Sequence, residues 1–385
     1  MFSKIFVPLL ALKQKFMPDE NCECHIMEKG EWTRVTRKER MIKIIKRQPV
    51  DRLPVSLELT VPLVEKLSIV LNLSQDELFE VLDNHIIYAY LSDSVSSKDN
   101  IVIDNWGVGY DIYEGAAIRI HPLYDKRALK DYEFPDPSAE WLMDGPKATI
   151  AKYGDDYFVT SYQRWLLFER ACWLRGVENF LTDMIVDRPF AEWLLDRITE
   201  YQVEVARKYI EIGIDCGRTG DDWGSQMGML FSPDLWRGLI KPRLKKVWDV
   251  YHDAGLPVIH HSCGDIRPII PDLIELGLDV LHPVQAVMPR EELKKNFGAK
   301  LVFYGGIDTQ HIVPLGAPEE IYFEVTDCIN TLGAGGGYIV GLGHTLTSEV
   351  PLINIGALIT AVRDKIGLVS DERLELLFKK EVISE

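Results

Sequence analysis

His261 and Cys263 place an imidazole and a thiol two residues apart in the run PVIHHSC. The run is apolar and β-branched, so it predicts a strand, and side chains at i and i+2 of a strand share a face. His261 and Cys263 would then look one way together, with His260 and Ser262 turned the other way. Imidazole nitrogen and thiolate sulfur suit zinc, with bonds of about 2.0–2.1 Å and about 2.3 Å. Two ligands do not hold the ion. A third is expected from His344, in GLGHTL at the end of a later β-type run. A catalytic zinc keeps one position open, here facing Asp222, Glu58 or solvent. The local sequence reads equally well as a buried cysteine beside a hydrogen-bonded histidine.

The segment Asp221-Asp222-Trp223-Gly224 supplies carboxylates at another strand end. Each can ligate a metal, act as a general base or orient a histidine, and one of the two fits an Asp/Gly turn instead. Glu58 and Tyr162 join Asp221 and Asp222 as candidate catalytic groups. Gln285, Asp308 and Trp223 are candidates for cofactor contact. Asp308 could equally cap the following helix, and Gln285 could satisfy a backbone group. Trp223, Trp106 and Tyr162 could line an apolar pocket, although each aromatic alone is more often core.

These residues need a scaffold that brings strand ends together. Short β-type runs alternate with helical patterns along the chain, which predicts a parallel sheet with crossover helices. The runs are 54–59, 101–106, 157–162, 214–222, 257–263, 279–284, 301–308 and 338–344. Eight such runs favour a closed (β/α)8 barrel of the TIM type, in which chemistry sits at the C-terminal strand ends. Ser232 and Pro233 open a helix running toward Ala254, with a break expected at Pro242 and Gly255 beyond its end. Pro318 opens a helix over 319–332, and Pro351 opens the last one. The glycine-rich GAGGG at 333–337 precedes a strand, whereas a phosphate loop would follow one, so it reads as a helix-ending loop.

The bulk properties agree with one large catalytic domain, residues 34–385, behind an extension at 1–33. The chain has 385 residues, 46% of them hydrophobic and 26% charged, enough for a sizeable core. A net charge of −16 argues against a nucleic-acid partner. Six cysteines in the chain do not suggest a disulfide scaffold, and the wide spacing of Cys172, Cys216, Cys263 and Cys328 fits a reducing, cytoplasmic compartment. No apolar run reaches the ~20 residues of a membrane span, and the stretch Ile5 to Leu12 lacks a signal cleavage site. Cys22, Cys24 and His25 in the extension read as adventitious ligands on a tail.

The segments GDDWGSQMGMLFSPDLWRGLIKP (220–242), HHSCGDIRPIIPDLIELGLDVLHPVQ (260–285), FGAKLVFYGGIDTQ (297–310) and GGGYIVGLGHTLTSEVPLINI (335–355) resemble the uroporphyrinogen decarboxylase superfamily over roughly 34–367. Its true decarboxylases use no metal and carry an arginine-rich motif similar to MRQAGR. Here the corresponding stretch is PVSLELTVP (54–62). The His-x-Cys pair instead resembles the branch of zinc- and cobamide-dependent methyltransferases, which use His-x-Cys and a later cysteine. His344 stands near the position of that cysteine. The resemblance implies zinc, and a methyl donor demethylated toward the cob(I)amide of a separate corrinoid protein. The donor could be a methoxylated aromatic, making the chain an O-demethylase component. A His2Cys set carries one thiolate rather than two, leaving the metal more electrophilic. The competing readings are a metal-independent lyase and a barrel that carries a tetrapyrrole or corrinoid. Barrels of this superfamily often form homodimers.

Overall fold

The computed structural model describes residues 35–92, 96–98, 101–111 and 117–378. The 1–33 extension, with Cys22, Cys24 and His25, lies outside them. Among the described residues, eight parallel strands make the framework: β1 Val55–Ser56, β2 Ile86–Ala89, β3 Phe158–Ser161, β4 Gly217–Gly220, β5 Val258–His261, β6 Val280–Val284, β7 Val302–Ile307 and β8 Tyr338–Leu342. Six of them form one sheet in the order β1-β8-β7-β6-β5-β4, and β2 pairs with β3. Parallel bridges Val55↔Asn84 and Thr160↔Cys216 join the two sheets at both edges. The ring therefore closes as a (β/α)8 barrel with a curled sheet.

Side-chain parity follows from the strand period. Ile86, Phe158, Ile259, Val280, Val302, Tyr304 and Ile339 pack with Cys216 in one interior cluster. The helix Arg37–Ile45 adds Met41 and Ile44 to that cluster. Thr36 starts this helix by a capping box with Glu39, satisfying two backbone donors that would otherwise be unpaired. The opposite parity of each strand faces the outer helices in a larger apolar layer. Gly341 belongs to the interior, since a Cβ there would lie 2.4 Å from Cε2 of Tyr304. Only glycine leaves room for that ring.

The proline-based expectations hold. Ser232 accepts from Leu235 N, and the helix Pro233–Leu239 ends at Ile240 before Lys241–Asp253 continues beyond Pro242. One strand assignment needs correction. The run 101–106 is not a barrel strand: Ile101–Ile103 belongs to an antiparallel four-stranded sheet with Ser96–Lys98, Gly109–Asp111 and Ala117–Ile120. The second barrel strand is Ile86–Ala89. Asp104 explains the difference, because its Oδ1 accepts from Trp106 N and Val108 N and turns the chain back on itself. A barrel strand would have run on into a helix. Trp106 is accordingly core, edge-on to Tyr201 and Phe134.

Candidate metal centre

β5 and the turn after it carry the first two donors. His261 and Cys263 face the barrel mouth, as strand parity requires. His260 points outward, stacked on Trp223 with ring centroids 4.6 Å apart and 2.8 Å from Oγ1 of Thr219. Ser262 also faces outward, and its hydroxyl accepts from Trp223 N at 3.1 Å. Gly264, at φ +78°, ends the ligand turn. A Cβ there would sit 2.2 Å from the backbone of Gly224 and Ser225, so glycine lets the hairpin 224–229 lie against Cys263.

His344, just beyond β8, completes a cluster in which one donor atom each from His261, Cys263 and His344 lies within 4.8 Å of the others. The Sγ of Cys263 is 3.5 Å from Nε2 of His261. Ligands of one tetrahedral zinc stand roughly 3.5 Å apart. The donor chemistry and spacing therefore fit such an ion after a small contraction toward His344. Of the three, His344 is exposed, which leaves the centre open on its side.

Two side chains brace the ligand turns. Asp222 accepts from Cys263 N at 2.8 Å, and the same oxygen lies 3.6 Å from Nε2 of His261. Gln285 accepts from Gly264 N at 2.7 Å and donates to Gly343 O at 3.1 Å. It thereby ties the turn after Cys263 to the residue preceding His344.

Behind His261 the barrel interior is polar. Nδ1 of His261 lies 3.0 Å from Nδ1 of His282, whose Nε2 lies 3.3 Å from Oε1 of Glu58. Glu58 also accepts from Tyr88 and pairs with Arg218 at 3.3 Å. Burial alone would raise the Glu58 carboxyl, but the Arg218 guanidinium, with the Tyr88 bond, outweighs it and holds it below the usual range. Burial first, and with it the Arg218 guanidinium, pushes His261 and His282 well below an ordinary histidine, so both are neutral. Burial and then the Asp222 charge raise the Cys263 thiol, an order that a bound cation would reverse.

Of the residues expected from sequence, Glu58, Asp222, His261, Cys263, Gln285 and His344 are linked in this way. Tyr162 joins them through Arg218, whose guanidinium carbon lies 5.0 Å from its ring and 4.3 Å from that of Tyr88. Tyr90 packs on Tyr162 at 4.4 Å, so the mouth has an aromatic wall.

Three further candidates have structural partners of their own. Asp221 is fully buried and accepts from Phe168 N, Glu169 N and the Trp223 indole, so it anchors the helix Phe168–Arg175 rather than facing the mouth. Trp223 is fully buried, packed between His260 and Trp236. Asp308 closes its own turn, accepting from Gln310 N and His311 N.

His282, Arg218, Tyr88 and Glu169 were missed. Parity was the available signal for His282, because Val280 on the same strand packs inside the barrel. Glu169 is raised well above a normal carboxyl by burial and then by the charges of Asp222 and Asp221. Nothing local marks it, because that environment is assembled from two separate loops.

The uroporphyrinogen decarboxylase (URO-D) family model matches residues 101–365. The chain is 29% identical over 171 residues to a uroporphyrinogen decarboxylase of Thermus thermophilus, covering 44% of this chain and 48% of that one. It is 26% identical over 188 residues to the methylcobamide:CoM methyltransferase MtaA of Methanosarcina barkeri, covering 49% and 53%. The chain thus spans about half the length of these relatives. A solved methyltransferase from Methanosarcina mazei superposes with a TM-score of 0.64 at 20% identity, over 86% of this chain and 98% of that one. That similarity establishes the shared barrel fold.

Proposed function

Given that the chain belongs to the uroporphyrinogen decarboxylase family, we propose that it is a zinc-dependent methyltransferase that moves a methyl group from a small donor to the cob(I)amide of a separate corrinoid protein. The observation that carries this reading is the convergence of His261, Cys263 and His344 within 4.8 Å at the barrel mouth. Likeness to a methylcobamide methyltransferase supports it.

His261, Cys263 and His344 would hold the ion, with Asp222, Glu58 or solvent beside the remaining position. When bound, zinc supplies Lewis acidity for a poor leaving group such as an ether oxygen. Asp222 keeps Cys263 and His261 in register. Gln285 keeps the His344 turn against the Cys263 turn. Tyr88, Tyr90 and Tyr162 offer ring faces on which a methoxylated aromatic donor could stack, which would make the protein an O-demethylase component. The exposed side of His344 leaves space for donor and corrinoid partner to meet. The reading places the protein in the cytoplasm, and among the described residues no helix is long and apolar enough to cross a membrane.

Elemental mass spectrometry of untagged protein tests the centre. About one zinc per chain, lost in Cys263→Ser, is expected. Methyl transfer to free cob(I)alamin should then fall sharply in both His261→Ala and Cys263→Ser. Full methyl transfer in both variants would sink the zinc mechanism, and no bound metal, even after zinc is added back, would bring the metal-independent lyase forward.

A further inference from the structure

We infer that His282 is a positioning residue that, set by Glu58, locks His261 in the Nδ1–H tautomer and so turns an unprotonated Nε2 toward Cys263 and His344. The inference rests on the metal-centre reading only for its purpose; the lock itself is a property of the metal-free chain.

Two imidazoles that meet through Nδ1 atoms 3.0 Å apart can share only one proton between those atoms. If His282 carried it, His261 would keep its own proton on Nε2, the atom 3.5 Å from the Cys263 sulfur, and that nitrogen could not ligate. Glu58 decides between the two arrangements. Its Oε1 lies 3.3 Å from Nε2 of His282, where a lone pair would be repelled and an N–H is favoured. A proton on His282 Nε2 leaves His282 Nδ1 as an acceptor, so His261 must donate from Nδ1. The single remaining lone pair on His261 is then Nε2.

The ring of His282 has little freedom to escape this role. It is 2% exposed and stacked on Tyr304 with centroids 4.1 Å apart and planes 26° apart. Tyr304 is held in turn by its hydroxyl bond to Ser56 O at 3.1 Å. Glu58 is fixed by Tyr88 and Arg218. Partners of this kind behind a ligating histidine are typically worth about 10- to 100-fold in metal affinity.

Multiple-bond nitrogen–proton spectra of metal-free protein labelled with 15N-histidine read the tautomer directly. Wild type should show His261 protonated on Nδ1 and His282 on Nε2. The opposite assignment in wild type overturns the inference without any variant. In His282→Leu, His261 should shift toward the Nε2–H form, and zinc affinity by chelator competition should fall about 10- to 100-fold. His282→Gln should recover most of that loss, because its amide oxygen can accept from His261 while its amide N–H faces Glu58. Unchanged affinity in folded His282→Leu would also overturn the inference. A wild-type protein that shows the expected tautomers yet takes up no zinc would sink the proposed function and leave the lock standing.

Discussion

The side-chain amide of Gln285 donates to the backbone carbonyl of Gly343 at 3.1 Å, while its oxygen accepts from the amide of Gly264 at 2.7 Å. One buried side chain on the β6 loop therefore sets the spacing between two ligand-bearing turns that lie far apart in sequence. Backbone groups buried at these positions need partners, so the bond serves both folding and site geometry.

Replacing Gln285 by Leu removes both bonds at nearly constant volume and leaves two backbone groups unpaired. A loss of about 1–3 kcal/mol in unfolding free energy is expected for each group left without a partner. Zinc affinity should fall as well, because His344 loses its tether to Cys263. Denaturant melts and chelator titration on the same sample check both. A variant that loses stability and keeps full affinity would confine Gln285 to folding.

His344 is the ligand that sets the charge of the centre. His344→Cys would convert one thiolate into two. The variant should bind zinc at least as tightly and transfer methyl from ether donors more slowly, since a second anionic ligand reduces Lewis acidity. His344→Ala should weaken binding. Equal affinity in wild type and His344→Ala would exclude this residue from the ligand set.

Glu169 carries a pH prediction. Burial, followed by the charges of Asp222 and Asp221, raises its carboxyl well above the unfolded value. The folded chain consequently holds the extra proton between the unfolded and folded pKa values. That contribution is complete below the unfolded pKa near 4.3 and is lost as the pH rises through the folded value. Glu169→Gln stays neutral and can still accept from Asp222 N, as the carboxylate does at 3.1 Å. Its melting temperature should gain on wild type between pH 5 and pH 8. A gain that shrinks over that range would contradict the assignment.

Trp223 separates core from site. Trp223→Phe keeps an aromatic ring beside His260 and loses the indole bond to Asp221, which measures 2.9 Å. Stability should drop by about 1–3 kcal/mol, the cost of an unmade buried bond, with zinc stoichiometry unchanged. Loss of zinc in a fully folded variant would return Trp223 to the site.

The pair His261 and Cys263 was legible because strand parity is local: alternate residues of a strand must share a face, whatever surrounds them. The alternation of β-type and helical runs likewise announced a barrel, and with it the mouth as the place for chemistry. His344 was reachable only as the residue at the end of the last run, because strand parity with the interior Ile339 would have turned it outward, and the chain leaves the strand at Leu342 before reaching it. The run 101–106 shows where that logic stops, since strands of an antiparallel sheet and barrel strands share one composition. Asp104 chose between them through two backbone bonds within its own turn.

Asp221 and Asp222 show the limit more sharply. Neighbours on one turn, they point in opposite directions, one into a buried helix anchor and the other against the Cys263 amide. Composition cannot separate two adjacent carboxylates. What the sequence determined by itself was therefore which residue types stand at strand ends and on which face. The roles of His282, Glu58, Arg218 and Gln285 were decided only by tertiary structure, because each depends on partners from other strands whose distances are set when the barrel closes.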